Sequence, residues 1–300
     1  DRKLAQMYQL EDLGLRFLDC GWIRNLGHLA ALDIYIKLVS LNWIPTRRTI
    51  ALESSYGIAN RCLLNYWKTY DIHLVSDPKT IELLTPLAKH LELNHILIPF
   101  GDGTIKTINE VAVKVQKKWE DEKRAPLLTL LESDNERGWD NLQKLGVPTD
   151  TWFVTLHVRE GENSTSIDSH GLRNADISTY TLAIKSIVDR GGWVIRVGDK
   201  NMKPFTSITG VIDYAHSELK SDWMDIFLFA KNRFMIGSSS GPICVPPIFG
   251  IPCVITNWLP MGLQKPCYGK DIFIPKLYWS NPENRYLTIS EFIHPPLGCT

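Results

Sequence analysis

The sequence predicts an α/β protein of two domains, on three observations. The stretch Thr151-Trp152-Phe153-Val154-Thr155-Leu156-His157-Val158-Arg159-Glu160 is almost continuously apolar and β-branched until it stops at His, Arg and Glu. Such a run reads as a strand buried on both faces, as in a parallel sheet covered by helices. Short strand-like runs alternate with helical spacing through both halves of the chain. Its 300 residues exceed one ordinary domain and allow each half its own core. The polar stretch Arg124–Pro148 serves as the link, which puts the domains at 1–148 and 149–300.

In chain order, Asp1–Leu18 has helical spacing of apolar residues, and Gly27-His28 opens a second helix over Ala30–Leu41. Arg48–Leu52, Ile72–Val75 and Ile96–Pro99 read as strands, and Tyr56–Tyr70 and Pro78–Leu91 as helices. Lys106–Lys123 reads as an amphipathic helix with a solvated face, and Gly138–Leu145 as a short helix inside the link. After the Thr151–Glu160 strand comes the polar stretch Gly161–Asn174, a loop long enough to be a functional flap or a disordered insertion. The helix Ile177–Arg190 closes at Gly191-Gly192, and Trp193–Val197 and Val211–Tyr214 are further strands. The helix Trp223–Ala230 precedes a strand Arg233–Gly237, and a short helix Ile243–Phe249 precedes the strand Pro252–Ile255. From Asn257 onward proline and aromatic residues suggest irregular structure.

Ligands of parallel sheets bind beyond the carboxyl ends of the strands. There stand His157 and Arg159, Gly198-Asp199, Asp213-Tyr214 and Ser238–Gly241, four polar strand ends on one rim. Arg159 offers a planar charged fork suited to a diphosphate, or else pairs with a carboxylate such as Glu160. His157 could orient that arginine, hold a ribose, act as acid or base, or simply be a hydrogen-bonded structural histidine. Ser238, Ser239, Ser240 and Gly241 offer hydroxyls and a close backbone approach to an anion. His28 is either a helix-starting residue or faces a ligand.

Lys plus Arg and Asp plus Glu are 33 each, a balance that argues against a broad nucleic-acid surface. The six scattered cysteines lack paired metal spacing and read as reduced thiols, which favours the cytoplasm. No apolar run is long enough to span a bilayer. The chain starts at Asp1 rather than Met, so it is expected to be a piece of a longer protein. Asn163-Ser164-Thr165 matches the glycosylation sequon. Nothing visible requires a metal or a bound cofactor. Gly-x-x-x-x-Gly-Lys, Gly-x-Gly-x-x-Gly and Gly-x-Ser-x-Gly are all missing, which argues against a P-loop ATPase, an ordinary dinucleotide dehydrogenase and an elbow-type hydrolase.

His157-Val158-Arg159 followed by Phe234-Met235-Ile236-Gly237-Ser238-Ser239-Ser240-Gly241 resembles the sugar-nucleotide domain of GT-B glycosyltransferases, in particular their fucosyltransferase-like branch. Ser221-Asp222-Trp223-Met224-Asp225-Ile226 looks like the helix start before the serine turn of those enzymes. With Leu26-Gly27-His28-Leu29, Arg173-Asn174-Ala175-Asp176-Ile177, Gly192-Trp193-Val194-Ile195-Arg196 and Asp213-Tyr214-Ala215-His216-Ser217, the whole is still more similar to uncharacterised bacterial glycosyltransferases found with surface-polysaccharide genes. The sequence departs from the fucosyltransferase branch at Glu160-Gly161, where that branch carries a basic residue and then Asp.

The resemblance implies two Rossmann-like domains facing a cleft, and metal-independent hexosyl- or fucosyl-type transfer from a nucleotide sugar to a glycan or other acceptor. It favours a GDP-sugar over a UDP- or CMP-sugar, and a cytoplasmic place at the inner face of the membrane. Arg159, His157 and Glu160 would be catalytic. Arg173, Asp199, Asp213, Tyr214, Ser217, Ser238, Ser239, Ser240 and Gly241 would bind the donor, and Gly27 and His28 would lie on the acceptor side. The base could be Glu160, Asp176 or a first-domain residue. A sugar-nucleotide epimerase or hydrolase, or a non-catalytic binding module, fits the same fold.

Overall fold

Leu15–Leu18, expected at the end of a helix, is instead strand β1. Four residues carry too little periodicity to tell the two apart. Pairing decides, because Phe17 and Leu18 are buried between partner strands on both sides. This computed structural model describes residues 13–160, 173–205, 208–258 and 269–294. The sequon, nearly all of the loop Gly161–Asn174 and the first twelve residues lie outside the described residues.

The chain divides into units Asp1–Arg124 and Ala125–Thr300, earlier than the boundary read at 148/149. In the first unit, β1 is followed by α1 (Gly21–Arg24), α2 (Leu26–Ser40), β2 (Arg48–Leu52), α3 (Arg61–Tyr66), β3 (Ile72–Val75), α4 (Pro78–Leu91) and β4 (Glu92–Leu93). The strands are parallel, in the order β3-β2-β1-β4. Leu97–Pro99 (β5), expected to extend an α/β alternation, pairs antiparallel with Ile105–Thr107 (β6) in a separate hairpin. Helix α5 (Ile108–Asp121) starts at a capping box of Thr107 and Glu110. It is more than a solvated face, since it buries Val111, Val115 and Trp119. Buried Lys37 of α2 donates to Asp33 at 2.6 Å and to Gln116 of α5 at 2.8 Å, so a buried polar contact joins the two helices.

The second unit begins with α6 (Glu132–Lys144), the segment read as part of the link. It packs on the core through Trp139, edge-on to Phe153 at 5.8 Å and to Phe227 at 6.0 Å. A Cβ on Gly138 would come within 2.0 Å of the Phe227 ring, which explains a glycine in mid-helix. Then follow β7 (Trp152–His157), α7 (Thr181–Val188), β8 (Gly192–Arg196), β9 (Val211–Asp213), α8 (Asp222–Lys231), β10 (Met235–Ser238) and β11 (Cys253–Trp258). Two short 3-10 turns, Gly241–Cys244 and Pro246–Phe249, replace the helix expected between β10 and β11. Their prolines remove the amide donors a longer helix needs. Beyond β11 the chain is more regular than expected, with β12 (Ile272–Pro275), a hairpin of β13 (Trp279–Ser280) and β14 (Arg285–Tyr286), and α9 (Ile289–Ile293).

The six long-range strands form one parallel sheet, ordered β12-β11-β10-β7-β8-β9. Val154, Leu156, Val194 and Ile236 are buried against Ile184 and Ile187 of α7, while Phe153 packs on Trp139 and Phe227 on the opposite face, the two-faced burial the apolar runs demand. No helix among the described residues is long and apolar enough to cross a membrane.

Candidate functional site

Both sheets reverse their winding beside their first strand. In the second unit β7, β8 and β9 step one way, and β10 returns to the other side of β7. The crevice at such a switch point is the expected ligand position, and the ends of β7 and β10 meet there. The backbone N–H of Arg159 donates to Ser238 Oγ at 2.8 Å. His157 Nε2 lies 3.0 Å from Ser240 Oγ. Residues about eighty positions apart in the chain thus form one cluster.

The protons of this cluster can be assigned. His157 Nδ1 is 3.0 Å from the Val197 carbonyl, which only accepts, so Nδ1 carries the hydrogen. Burial, chiefly, and then the positive charges of Arg159, Arg196 and Lys220 hold the His157 pKa down to about 4. The neutral ring's Nε2 therefore accepts, and Ser240 donates its hydroxyl proton to it. His157 is a fixed post rather than a proton shuttle. Ser238 is fully buried and Ser239 nearly so, so the hydroxyls expected to face an anion mostly hold the strand ends together. Among the described residues, Ser240 and Gly241 are the parts of that turn left partly accessible.

Among the described residues, Arg159 and Arg173 bring positive charge to the end of β7. The backbone N–H of Ala175 donates to the Arg159 carbonyl at 3.0 Å, which brings the Arg173 segment to the end of β7. Burial, and then repulsion from Arg159, lower the Arg173 pKa. Arg159 Nε is buried without a hydrogen-bond partner. Lys276, just past β12, donates to the Asn174 carbonyl at 2.9 Å and ties the same segment down. Nothing in the sequence singled out Lys276.

No protein-family model and no curated protein matches this chain. Among solved structures, the glycosyl transferase family 9 protein from Veillonella parvula superposes with a TM-score of 0.53 at 9% identity, covering 87% of this chain and 85% of that one. The fold is GT-B. The ADP-heptose LPS heptosyltransferase II of E. coli is a further neighbour, with a TM-score of 0.49, 10% identity, and coverage of 89% of this chain and 91% of that one.

Several expected site residues have other duties within this GT-B frame. Glu160 neither pairs with Arg159 nor stands free as a base. Its carboxylate accepts from Arg196 Nη2 at 3.0 Å and from the backbone N–H of Lys203 at 3.2 Å. Asp213 is equally committed, to Arg196 Nη1, the Phe205 N–H and His216 Nδ1, each at 2.9 Å. Arg196, read only as part of a strand, is fully buried and holds the ends of β7 and β9 together. Tyr214 is fully buried with its hydroxyl against Ser221, so it has no face for a donor. Asp199, Ser217 and Asp176 accept from the amides of Asn201, Leu219 and Ser178, as turn and cap residues do.

The first unit has a cluster that sequence reasoning half missed. Its switch point lies between β1 and β4, where Asp19 follows β1 and His95 follows β4. His95 Nδ1 is 3.0 and 2.9 Å from the two Asp19 oxygens, and the His95 backbone N–H donates to Asp19 at 3.1 Å. The carboxylate accepts, so it orients the ring with Nε2 turned away. His28, expected near a ligand, meets the His95 ring at a 41° tilt with centroids 4.7 Å apart and donates from Nδ1 to the Gly21 carbonyl at 3.0 Å. Burial, above all, lowers the His28 pKa. Gly21 packs against the His95 ring so closely that a Cβ there would sit 2.2 Å from Nδ1. Gly27 gives its N–H to Asn25 as a helix cap at 2.8 Å and contributes no side chain. The available signal was Leu18-Asp19-Cys20-Gly21, a strand ending in Asp before a glycine, hidden when β1 was read as helix.

Proposed function

We propose that this chain is a glycosyltransferase that moves a hexosyl or fucosyl group from a nucleoside diphosphate to a hydroxyl of a glycan or similar acceptor, without a metal ion. One observation carries the reading: at the switch point of the second unit Arg159 has a buried Nε without a hydrogen-bond partner, and its charge reaches Arg173 on the segment bonded to the end of β7. Like charges held this close repel, and a diphosphate between them would turn that repulsion into attraction. In the reaction, the bond from the sugar's anomeric carbon to the phosphate oxygen breaks as the acceptor oxygen attacks that carbon. The electron pair leaves with the diphosphate, where Arg159 and Arg173 stabilise the growing charge. The two cations take the part a divalent ion otherwise plays.

The acceptor's proton needs a base. Glu160 and Asp213 have oxygens bound to Arg196, whereas Asp19–His95 is a carboxylate–imidazole pair with the chemistry of a general base. The Asp19→Asn variant is expected to lose about 100-fold or more in transfer, the usual scale for a positioned base, with nucleotide affinity unchanged. Calorimetric titration beside a transfer assay checks both halves, and unaltered transfer would remove the pair from the reaction.

The GDP preference rests on the fucosyltransferase resemblance alone, so ADP, GDP, UDP and CMP are compared by thermal shift, since a ligand of the folded state raises its melting temperature. The nucleotide that binds then names the donor series for transfer assays with and without EDTA. Transfer is expected to persist in EDTA. No shift with any nucleotide would overturn the reading, and rescue of a chelated enzyme by Mg²⁺ or Mn²⁺ would overturn its metal-free part. The bacterial surface-polysaccharide setting and the inner face of the membrane remain parts of this proposal.

A further inference from the structure

Strand β11 ends irregularly. Its register with β12 shifts between Thr256 and Trp258, which makes Asn257 a bulge residue. Asn257 also has φ 50°, a left-handed conformation that glycine adopts without steric conflict and other residues adopt rarely. Bulges at sheet ends re-aim side chains, and strained residues concentrate at functional sites. Thr256 is the β11 partner of Ser238, whose hydroxyl holds the Arg159 backbone.

A chain of hydrogen bonds then orients the Asn257 amide. Thr256 Oγ1 donates to the Gly237 carbonyl at 3.3 Å. With its proton used, Thr256 accepts from the Tyr180 hydroxyl at 2.6 Å. Tyr180 in turn accepts from Asn257 Nδ2 at 3.0 Å. The relay ends on a carbonyl, which has no alternative role, so every member's direction follows. Nδ2 faces inward and Oδ1 is the end turned away from the relay. The residue is partly exposed at the carboxyl rim of the sheet.

We propose that Asn257 is a specificity-determining residue of the nucleotide-sugar site, its Oδ1 accepting a hydrogen bond from a hydroxyl group of the donor. This rests on the transferase reading above. The hydroxyl belongs either to the ribose or to the sugar being transferred, and both present the same chemistry to an amide oxygen.

The test is calorimetric titration of the wild type, Asn257→Gly and Tyr180→Phe. The probes are ADP, GDP and UDP, their 2′,3′-dideoxy forms, and ADP-glucose, GDP-mannose and UDP-glucose, with melting temperatures recorded in parallel. Glycine relieves the left-handed strain, so Asn257→Gly is expected to melt at or above the wild-type temperature. It should nevertheless bind its ligand up to about tenfold more weakly, the scale of one lost hydrogen bond. Tyr180→Phe keeps the amide but frees its direction, and is expected to weaken binding by a smaller factor.

A loss seen with the diphosphates, together with loss of the preference over the dideoxy forms, assigns the ribose. A loss confined to the nucleotide sugars assigns the transferred sugar. Binding within twofold of wild type in Asn257→Gly overturns the inference while leaving the transferase reading intact. A binding loss matched by a lower melting temperature, with Tyr180→Phe binding normally, likewise overturns it in favour of a structural role. Failure of the wild type to bind any probe overturns the transferase reading and this inference with it.

Discussion

Arg159→Ala is expected to lower transfer at least about 100-fold, the scale on which a preorganised charge stabiliser is lost, with the melting temperature little changed. The asymmetry follows from how the residue is held. Its backbone N–H donates to Ser238 and its carbonyl accepts from Ala175, and alanine keeps both bonds. What disappears is the guanidinium, whose Nε has no partner in the protein, so folding loses little. Removing it also relieves the repulsion on Arg173. The Arg159→Lys variant is expected to recover only part of the activity, because an ammonium lacks the planar fork that grips a diphosphate. Turnover and thermal melting of both variants check this. Near-wild-type turnover in Arg159→Ala would take the residue out of the site.

Arg196→Leu is expected to show the opposite pattern, a large loss of stability. The guanidinium is fully buried and pairs with Glu160 and Asp213 at 3.0 and 2.9 Å. Leucine would leave two carboxylates facing each other without a cation. Breaking a buried pair this way costs about 3–5 kcal/mol. Both carboxylates keep some solvent contact, with side chains 16% and 18% exposed, so the lower end of that range applies. A loss of about 3 kcal/mol lowers the melting temperature of a unit this size by about 6–12 °C. Glu160→Gln separates the two roles given to that carboxylate. As a partner of Arg196 it should cost stability and less than about tenfold in turnover, whereas loss of a base would cost about 100-fold or more. Scanning calorimetry with a transfer assay decides between them.

Much of the second unit was legible in the sequence. Strands buried on both faces must be apolar along their whole length, so Trp152–His157, Gly192–Arg196 and Met235–Ser238 were visible from composition alone, and the polar residues ending them marked the rim. The first unit was less legible. Its strand β1 has four residues, and its hydrophobic spacing could not be told from the helix expected to run through it. That misreading hid Asp19 and left His28 without the partner that explains it. His95 lies 76 positions from Asp19, and no local pattern joins them.

Within the candidate site, residue type alone suggested that every serine, aspartate and tyrosine at the rim would face a ligand. Packing shows that most of them face one another. Glu160 and Asp213 serve a buried arginine, Tyr214 lies in the core, and Ser238 holds a backbone.

By itself, the sequence determined that the chain forms parallel sheets with a basic, hydroxyl-rich rim, because hydrophobic period and strand-end polarity are local properties of a chain. Only the tertiary structure decided which polar groups remain for a ligand. Strand order sets which ends become neighbours, and a buried donor or acceptor must find a partner among those neighbours before any is left over for solvent or substrate.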